Sequence, residues 1–409
     1  MRYVIIGNGP AAVGAIESIR RADQTGEILL FSKEPLHTYS RPLISYWLLG
    51  KTDEERMKYR PCDFYEKNRV AFLKGVEAVK IDLAKKSVAG SDGNNYSYDK
   101  LLIATGARPF VPPVPGLDEV KYHTFMTMAD AERLRKDLTP ESRVLIIGAG
   151  LIGLKCAEGI LHLVKKVTVV DMASQVLPSI MDADGAKMAE EHLANKGVEL
   201  NLSDSAAAFK PGEATLKSGR KIPFDVLVMA VGVRPNIEIA KDAGIACDRG
   251  IDADDWGHTS DPDVFAAGDC AKSFDITTGE HKILALLPNA YMQGERAGAK
   301  MSGGKAVQHP AIPMNAMGLW DMHIITAGSM IGESHLRVSK NSYKRLATQD
   351  DRLMGYILIG DVERAGIYTA LIREQTPLHT IDFALMLERP QLMAFSKRER
   401  ALKLGGERV

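Results

Sequence analysis

Short, nearly unbroken apolar runs that stop at a glycine recur along the chain, and a helical pattern follows the glycine. Tyr3-Val4-Ile5-Ile6 stops at Gly7-Asn8-Gly9, and Pro10 opens a helix; Val144-Leu145-Ile146-Ile147 stops at Gly148-Ala149-Gly150, and Leu151 opens another. Apolar runs without alternation predict strands buried on both faces, as in a parallel sheet covered by helices. A second pair of segments also matches. Leu101 to Pro109 (LLIATGARP) and Leu227 to Pro235 (LVMAVGVRP) each place a strand, a glycine and an Arg-Pro in the same order. Two motifs repeated in one order predict an internal duplication. The first copy carries extra chain between its motifs, placed around Tyr39 to Trp47, a stretch without a counterpart after Asp171. Toward the C-terminus, strands around Tyr343–Leu346 and Gly355–Asp361, followed by a helix over Gly366–Arg373, predict a small α+β unit.

The 409 residues exceed what one hydrophobic core holds and argue for two or three domains. Lys+Arg 52 against Asp+Glu 52 leaves no net charge, which speaks against a broad nucleic-acid surface. No apolar run is long enough to span a membrane. The first apolar run breaks at Gly7, too early for a secretory signal, so a cytoplasmic location is expected. Cys62, Cys156, Cys247 and Cys270 are scattered, with no C-x-x-C and no metal-ligand spacing, so no metal is expected. A local excess of Lys and Arg from Ser396 to Lys403 reads as a solvated terminal helix ahead of a docking surface for an acidic carrier.

In each glycine turn the first glycine permits a tight bend and the second leaves no side chain between the backbone and a pyrophosphate, which then rests on helix N-terminal amides. Gly7, Gly9, Pro10 and Ala11 form this site in the first copy. Pro10 suits the first helical position, and Ala12 stands where the fingerprint has its third glycine. Gly148, Gly150, Leu151, Ile152 and Gly153 form it in the second. The strand after a glycine turn should end in an acid that grips a ribose diol. In the second copy Val167–Val170 ends at Asp171, and no Arg or Lys follows from Met172 to Met181 to pair with a 2′-phosphate, so NADH is expected over NADPH. In the first copy Glu34 is the nearest acid after Glu27–Phe31. Two such folds in tandem suggest a flavin in one and a nicotinamide in the other, since a hydride carrier needs a second cofactor to receive its electrons.

Thr259 to Ala271 (TSDPDVFAAGDCA) closely resembles the second flavin motif of the pyridine nucleotide-disulfide oxidoreductase superfamily. With the two glycine turns and Thr105-Gly106, the resemblance runs to about residue 300. Tyr39 to Ser45 (YSRPLIS) and the C-terminal strands are similar to NADH:rubredoxin reductases and to the flavin module of NADH-dependent nitrite reductases. The resemblance implies two tandem dinucleotide-binding α/β domains of glutathione-reductase type and a C-terminal α+β domain. The FAD domain covers 1–108 and 236–303, the inserted NAD domain 109–235, and the cap 304–409. It implies FAD contacts at Glu34, Arg41, Pro42, Val79, Thr105, Gly106, Arg108, Gly268, Asp269, Asn289 and Ala290 beside the first turn, and an NAD contact at Gly232 beside the second. Arg41-Pro42 would lie against the isoalloxazine. The helix from Leu287 to Gly294 (LPNAYMQG) looks like the one whose N-terminal amides face flavin O2.

Related oxygenase-linked ferredoxin reductases carry a Lys and a Glu at the positions of Tyr46 and Lys155, and the expectation here is that Lys155 reaches the flavin N5 environment. No cysteine lies in the stretch Ser40 to Trp47, where thiol-using relatives carry theirs. The expected activity is therefore transfer of electrons from NADH through FAD to a small iron-sulfur or rubredoxin-type carrier. An NADH oxidase or disulfide reductase is one alternative, and a flavin subunit of a larger redox complex is another. The chain is expected as a monomer or homodimer.

Overall fold

The unbroken apolar runs become the inner strands of two parallel sheets in the computed structural model, which describes residues 1–307 and 310–405. Across the first sheet the order is Val264–Ala266, Lys100–Ile103, Arg2–Ile6, Glu27–Ser32, Val70–Lys74, every neighbouring pair parallel. Across the second it is Val198–Asn201, Lys166–Val170, Arg143–Ile147, Val226–Met229, Tyr122–His123, again parallel. Successive strand residues point to opposite faces. Tyr3, Ile5 and Leu102 pack with the helix residues Val13 and Ile16, whereas Val4, Ile6, Leu101 and Ile103 pack on the other side with Val88 and Ile245. With both faces covered, alternation has no use, which is why these strands read as continuous apolar runs.

The duplication holds strand by strand. In each sheet the strand that leads into the glycine turn is central, flanked by the next strand and by the strand of the second motif. An antiparallel three-stranded meander precedes each second-motif strand: Ala78–Asp82, Ser87–Gly90 and Asn95–Ser97 in one, Ala206–Lys210, Glu213–Leu216 and Lys221–Pro223 in the other. Val264–Ala266 joins the first sheet only after the chain has completed the second, so the second is inserted in the first. The extra chain of the first copy forms a 3₁₀ turn, Arg41–Leu43, and short helices at Ile44–Leu48, Glu54–Met57 and Phe64–Lys67, where the second copy runs a single helix, Ala183–Lys196.

The two Arg-Pro segments, which look like independent repeats in the sequence, pair with each other. Ala107–Pro109 runs antiparallel to Val233–Pro235 and sets Arg108 opposite Arg234. Like charges facing each other across strands destabilise a pair. Here each is answered separately: Arg108 donates to both Glu238 carboxylate oxygens at 2.9 and 2.5 Å, and the Arg234 guanidinium lies 4.1 Å from the centre of the Phe110 ring.

Helices Pro10–Ala22 and Leu287–Met301 cross at backbone contact where glycines remove the side chain. A Cβ on Gly294 would stand 1.9 Å from the Ala11 carbonyl oxygen, one on Gly298 2.5 Å from that of Ala15, and one on Gly14 2.3 Å from that of Tyr291. Each helix has a proline in its first turn.

By its contacts the chain divides into two units, one of Met1–Gln175, Leu193–Phe274 and His281–His309, the other of Val176–His192, Asp275–Glu280 and Pro310–Val409. Both glycine turns belong to the first. The second is built on an antiparallel sheet in the order Met314–Leu319, Met322–Gly328, Arg352–Ile359, Ser342–Gln349, Glu333–Ser339, with helix Ala365–Arg373 on a core of Leu346, Tyr356, Leu358, Tyr368 and Leu371. No motif announces that Val176–His192 belongs with this sheet. Asp182 holds it there, accepting from the Tyr343 hydroxyl at 2.5 Å and Arg345 at 2.7 Å. The basic stretch near the C-terminus is a helix, Lys397–Gly405, in which Lys403 pairs with Glu374 at 2.7 Å. Among the described residues no helix is long and apolar enough to cross a membrane.

The helix crossing yields a sign-reversed pair of substitutions. Gly294→Ala forces two backbones apart and should lower unfolding free energy by about 1–3 kcal/mol. Gly366→Ala, in helix Ala365–Arg373 where an added methyl meets nothing within 4 Å, should raise it by about 0.4–1 kcal/mol. Thermal unfolding of the two variants should show Tm moving in opposite directions.

Candidate functional site

The two glycine turns are built alike to within small distances. Gly7 has φ +107° and a Cβ there would lie 2.2 Å from the Ala104 carbonyl oxygen; Gly148 has φ +117° and would lie 2.2 Å from that of Ala230. In each copy the first glycine is dictated by the bend and by the strand of the second motif running against it. Gly9 and Gly150 differ in kind: a Cβ at either meets nothing within 4 Å. Both cap helices without a side-chain hydrogen bond, so the amides of Ala11 and Ala12, and of Leu151, Ile152 and Gly153, lack an intrahelical acceptor. Open space before an uncapped helix start fits a pyrophosphate in both turns. The third position separates them. A Cβ on Gly153 would stand 1.9 Å from the Gly148 carbonyl oxygen, whereas the first turn accommodates a fully buried Ala12.

Around the first turn the fold gathers most of the residues expected there. Gly268, at φ +83°, sits where a Cβ would be 3.2 Å from the Ala11 Cβ and 3.6 Å from that of Ala290, so three motifs distant in the chain meet at one point. Asp269 follows it. Burial pushes the Asp269 carboxyl up, against the opposing charge of Arg41. Arg41 in turn donates to Glu34 at 2.9 Å, and Glu34 accepts a second hydrogen bond from the Tyr39 hydroxyl at 2.7 Å. Pro42 follows in the exposed 3₁₀ turn. Asn289 and Ala290 lie buried in the first turn of helix Leu287–Met301, whose N-cap makes no side-chain hydrogen bond. Thr105 donates from its hydroxyl to the Asn236 carbonyl at 2.6 Å, and Gly106 has φ +66°.

The remaining two expected residues are Val79 and Arg108. Val79 is the extra residue of a β-bulge between Ala78 and Lys80 and is 56% exposed; its neighbour Ala78 packs on the core that contains Ile6 and Phe31. Arg108 donates to Glu238 and, at 2.9 Å, to the Asn236 side chain.

Around the second turn, Asp171 is tied back onto the backbone. One carboxylate oxygen accepts from the Ala149 amide at 2.6 Å and the other from the Ala173 amide at 2.8 Å, which fixes the acid beside the glycines and leaves each oxygen a further lone pair. Gly232, at φ +112°, also faces open space. Lys155, on helix Leu151–Ile160, lies 4.3 Å from the centre of the Tyr46 ring and is ion-paired with Glu158, whose side chain is 1% exposed.

Cys156 and Cys270 are fully buried, and burial pushes both thiols up; Cys62 is exposed and Cys247 half-buried, and all four are free. Among the described residues no group of three or more His, Cys, Asp or Glu could hold a metal.

Several contributors had no distinct sequence signal. Tyr65 donates to Asn8 inside the first turn at 2.6 Å, and the Tyr39 hydroxyl accepts from the Met128 amide at 3.0 Å while bonding Glu34. Asn236 could have been found, since it directly follows the second Arg-Pro. Glu158 could have been found as the acid one turn after Lys155.

A model of the family described as "Pyridine nucleotide-disulphide oxidoreductase" matches residues 1–294. The chain is 30% identical to the NADH-dependent phenylglyoxylate dehydrogenase subunit epsilon of Aromatoleum evansii, over 92% of both chains. It is 29% identical to a rubredoxin-NAD(+) reductase of Pseudomonas putida, over 90% of this chain and 97% of that one. Its fold is similar to that of the covalent putidaredoxin reductase-putidaredoxin complex, with 25% identity, a TM-score of 0.87 and 99% of each chain covered.

The glycines of each turn should separate stability from binding. Gly7→Ala should destabilise the protein by more than about 1 kcal/mol, because both its φ and its neighbour forbid a Cβ. Gly9→Ala should leave the Tm of the flavin-free protein unchanged and weaken FAD retention at least about tenfold, by setting a methyl where the phosphate approaches. Fluorescence titration with FAD alongside thermal unfolding measures both.

Proposed function

The chain belongs to the pyridine nucleotide-disulphide oxidoreductase family, and from that premise we propose that it passes electrons from NADH through FAD to a small iron-sulfur or rubredoxin-type protein. It is an oxidoreductase, and FAD and NADH are its cofactors. We place FAD at the turn of Gly7 and Gly9 and NADH at the turn of Gly148 and Gly150, with 1–108 and 236–303 as FAD domain, 109–235 as NAD domain and 304–409 as cap, in a cytoplasmic protein. The observation that carries the reading is the pair of open glycine turns combined with the lack of any cysteine from Ser40 to Trp47. A flavin and a nicotinamide site without a thiol between them leaves the flavin itself to hand electrons on.

When bound, FAD supplies the conversion of a hydride from NADH into electrons that can leave singly. The chain's own residues bind, orient and tune. Amides of Ala11 and Ala12 take the FAD pyrophosphate, and Glu34 and Asp269 take hydroxyls of its ribose and ribityl chain. Arg41 and Pro42 would hold the ring, with the partial positive charge of the uncapped start of helix Leu287–Met301 available to it. Lys155, ion-paired with Glu158, would supply its ammonium to the ring's N5 environment. Asp171 grips the adenine ribose of NADH, in a segment without a cation for a 2′-phosphate.

The relatives support a carrier protein as acceptor, since one is named a rubredoxin-NAD(+) reductase. A flavin subunit of a larger redox complex is the second reading, supported by the relative named as subunit epsilon of a dehydrogenase. Oxygen and disulfides are weaker candidates because no thiol stands by the ring.

The purified protein should be yellow and bleach on anaerobic addition of NADH. Reoxidation in stopped flow should then be fast with rubredoxin or ferredoxin and slow with oxygen or a disulfide. Fast reoxidation by a disulfide would overturn the assignment, and fast bleaching with no soluble acceptor working would favour the subunit reading.

A further inference from the structure

We infer that Glu158 is a positioning residue for the flavin, acting by fixing the ammonium of Lys155 over the Tyr46 ring. The inference rests on the reading that Lys155 faces the flavin. A carboxylate whose side chain is 1% exposed, ion-paired to a lysine whose own side chain is 15% exposed, is an expensive arrangement in a helix that otherwise buries Leu154, Cys156, Ala157 and Ile160. Taking both charges from water costs several kcal/mol, and apolar residues of the same volume often stabilise such a site as well or better. Its retention calls for a use other than stability.

The geometry supplies one. Lys155 and Glu158 stand one helical turn apart on helix Leu151–Ile160, so the carboxylate pulls the lysine stem along the helix surface, toward helix Ile44–Leu48. These two helices are in close contact: a Cβ on Gly159 would lie 3.2 Å from the Ser45 carbonyl oxygen and 3.3 Å from Leu48 Cδ1. On that neighbour the lysine meets the face of Tyr46, four residues past Pro42, at 4.3 Å. A lysine has three donors on a flexible four-carbon stem and does not hold one direction unaided. Glu158 on one side and the Tyr46 ring on the other give it one. The charge that results is held between helix Ile44–Leu48, which follows Arg41-Pro42, and the helix of the second glycine turn.

The sign of a potential shift distinguishes positioning from plain charge removal. Reduction places negative charge on the ring, so a nearby cation favours it and a nearby anion opposes it. Lys155→Met should lower the flavin midpoint potential, read as an about tenfold fall in the reduced-to-oxidised ratio against a reference dye, and Lys155→Arg should restore most of it. Removing an anion alone would raise the potential. If Glu158 acts through Lys155, Glu158→Gln should instead lower it, by releasing the lysine, and the double variant K155M/E158Q should match K155M. Should Glu158→Gln fail to retain FAD, Glu158→Asp, which keeps the charge but shortens its reach, should still lower the potential. A raised or unchanged potential in the Glu158 variants, with K155M lowering it, would overturn the inference and leave the role of Lys155 standing. No shift in K155M would overturn the reading beneath both.

Discussion

Much of the first dinucleotide site depends on one close crossing, that of helices Pro10–Ala22 and Leu287–Met301. Their backbones touch because Gly14, Gly294 and Gly298 present no side chains, and the carbonyl oxygens of Ala11, Ala15 and Tyr291 fill the space a Cβ would need. The segments come from opposite ends of the first unit, so the crossing joins the chain before the inserted sheet to the chain after it. Its consequence is electrostatic. Both helices begin with a proline turn and no side-chain cap, and near the first glycine turn their starts come together at Gly268, which lies between Ala11 and Ala290. Two uncapped N-termini concentrate partial positive charge in one place, where an anionic ligand gains most.

Duplication lets the fold be read against itself. The same clash, 2.2 Å to a carbonyl oxygen of the neighbouring strand, is preserved at Gly7 and Gly148, and the same open space at Gly9 and Gly150. What the two copies share is therefore what a phosphate cradle requires. What they do not share marks their different tasks. The first copy adds the Arg41–Leu43 turn and its following helix, and a buried acid at Asp269. The second keeps a glycine at 153 and locks Asp171 onto its own turn through the amides of Ala149 and Ala173.

The inner strands and both turns were legible because their physics is local: a strand buried on two faces must be apolar throughout, and a bend against a neighbouring strand must be glycine. Pairings between distant segments were not. Nothing local in Ala107–Pro109 says that it will lie against Val233–Pro235 and set Arg108 opposite Arg234, beside Glu238. The bulge at Val79 was hidden for a related reason. A single bulged residue reverses which of two neighbours faces the core, and alternation alone would not reveal the bulge. The attachment of Val176–His192 through Asp182 to Tyr343 and Arg345 is long-range in the same sense.

The cysteines show how burial converts a count into chemistry. Cys156 and Cys270 lie fully buried, with their thiols pushed up by the loss of water, so neither offers the thiolate that attacks a disulfide. Cys62 is exposed but single. Under the proposed function, a chain with two dinucleotide turns and no reactive dithiol releases its electrons from the flavin and not through a covalent relay. On that reading the acceptor is selected by the protein surface around the flavin site. In a protein with no net charge, attraction of an acidic carrier then depends on which basic side chains are left without an internal acid, and Lys403, bound to Glu374, is not among them.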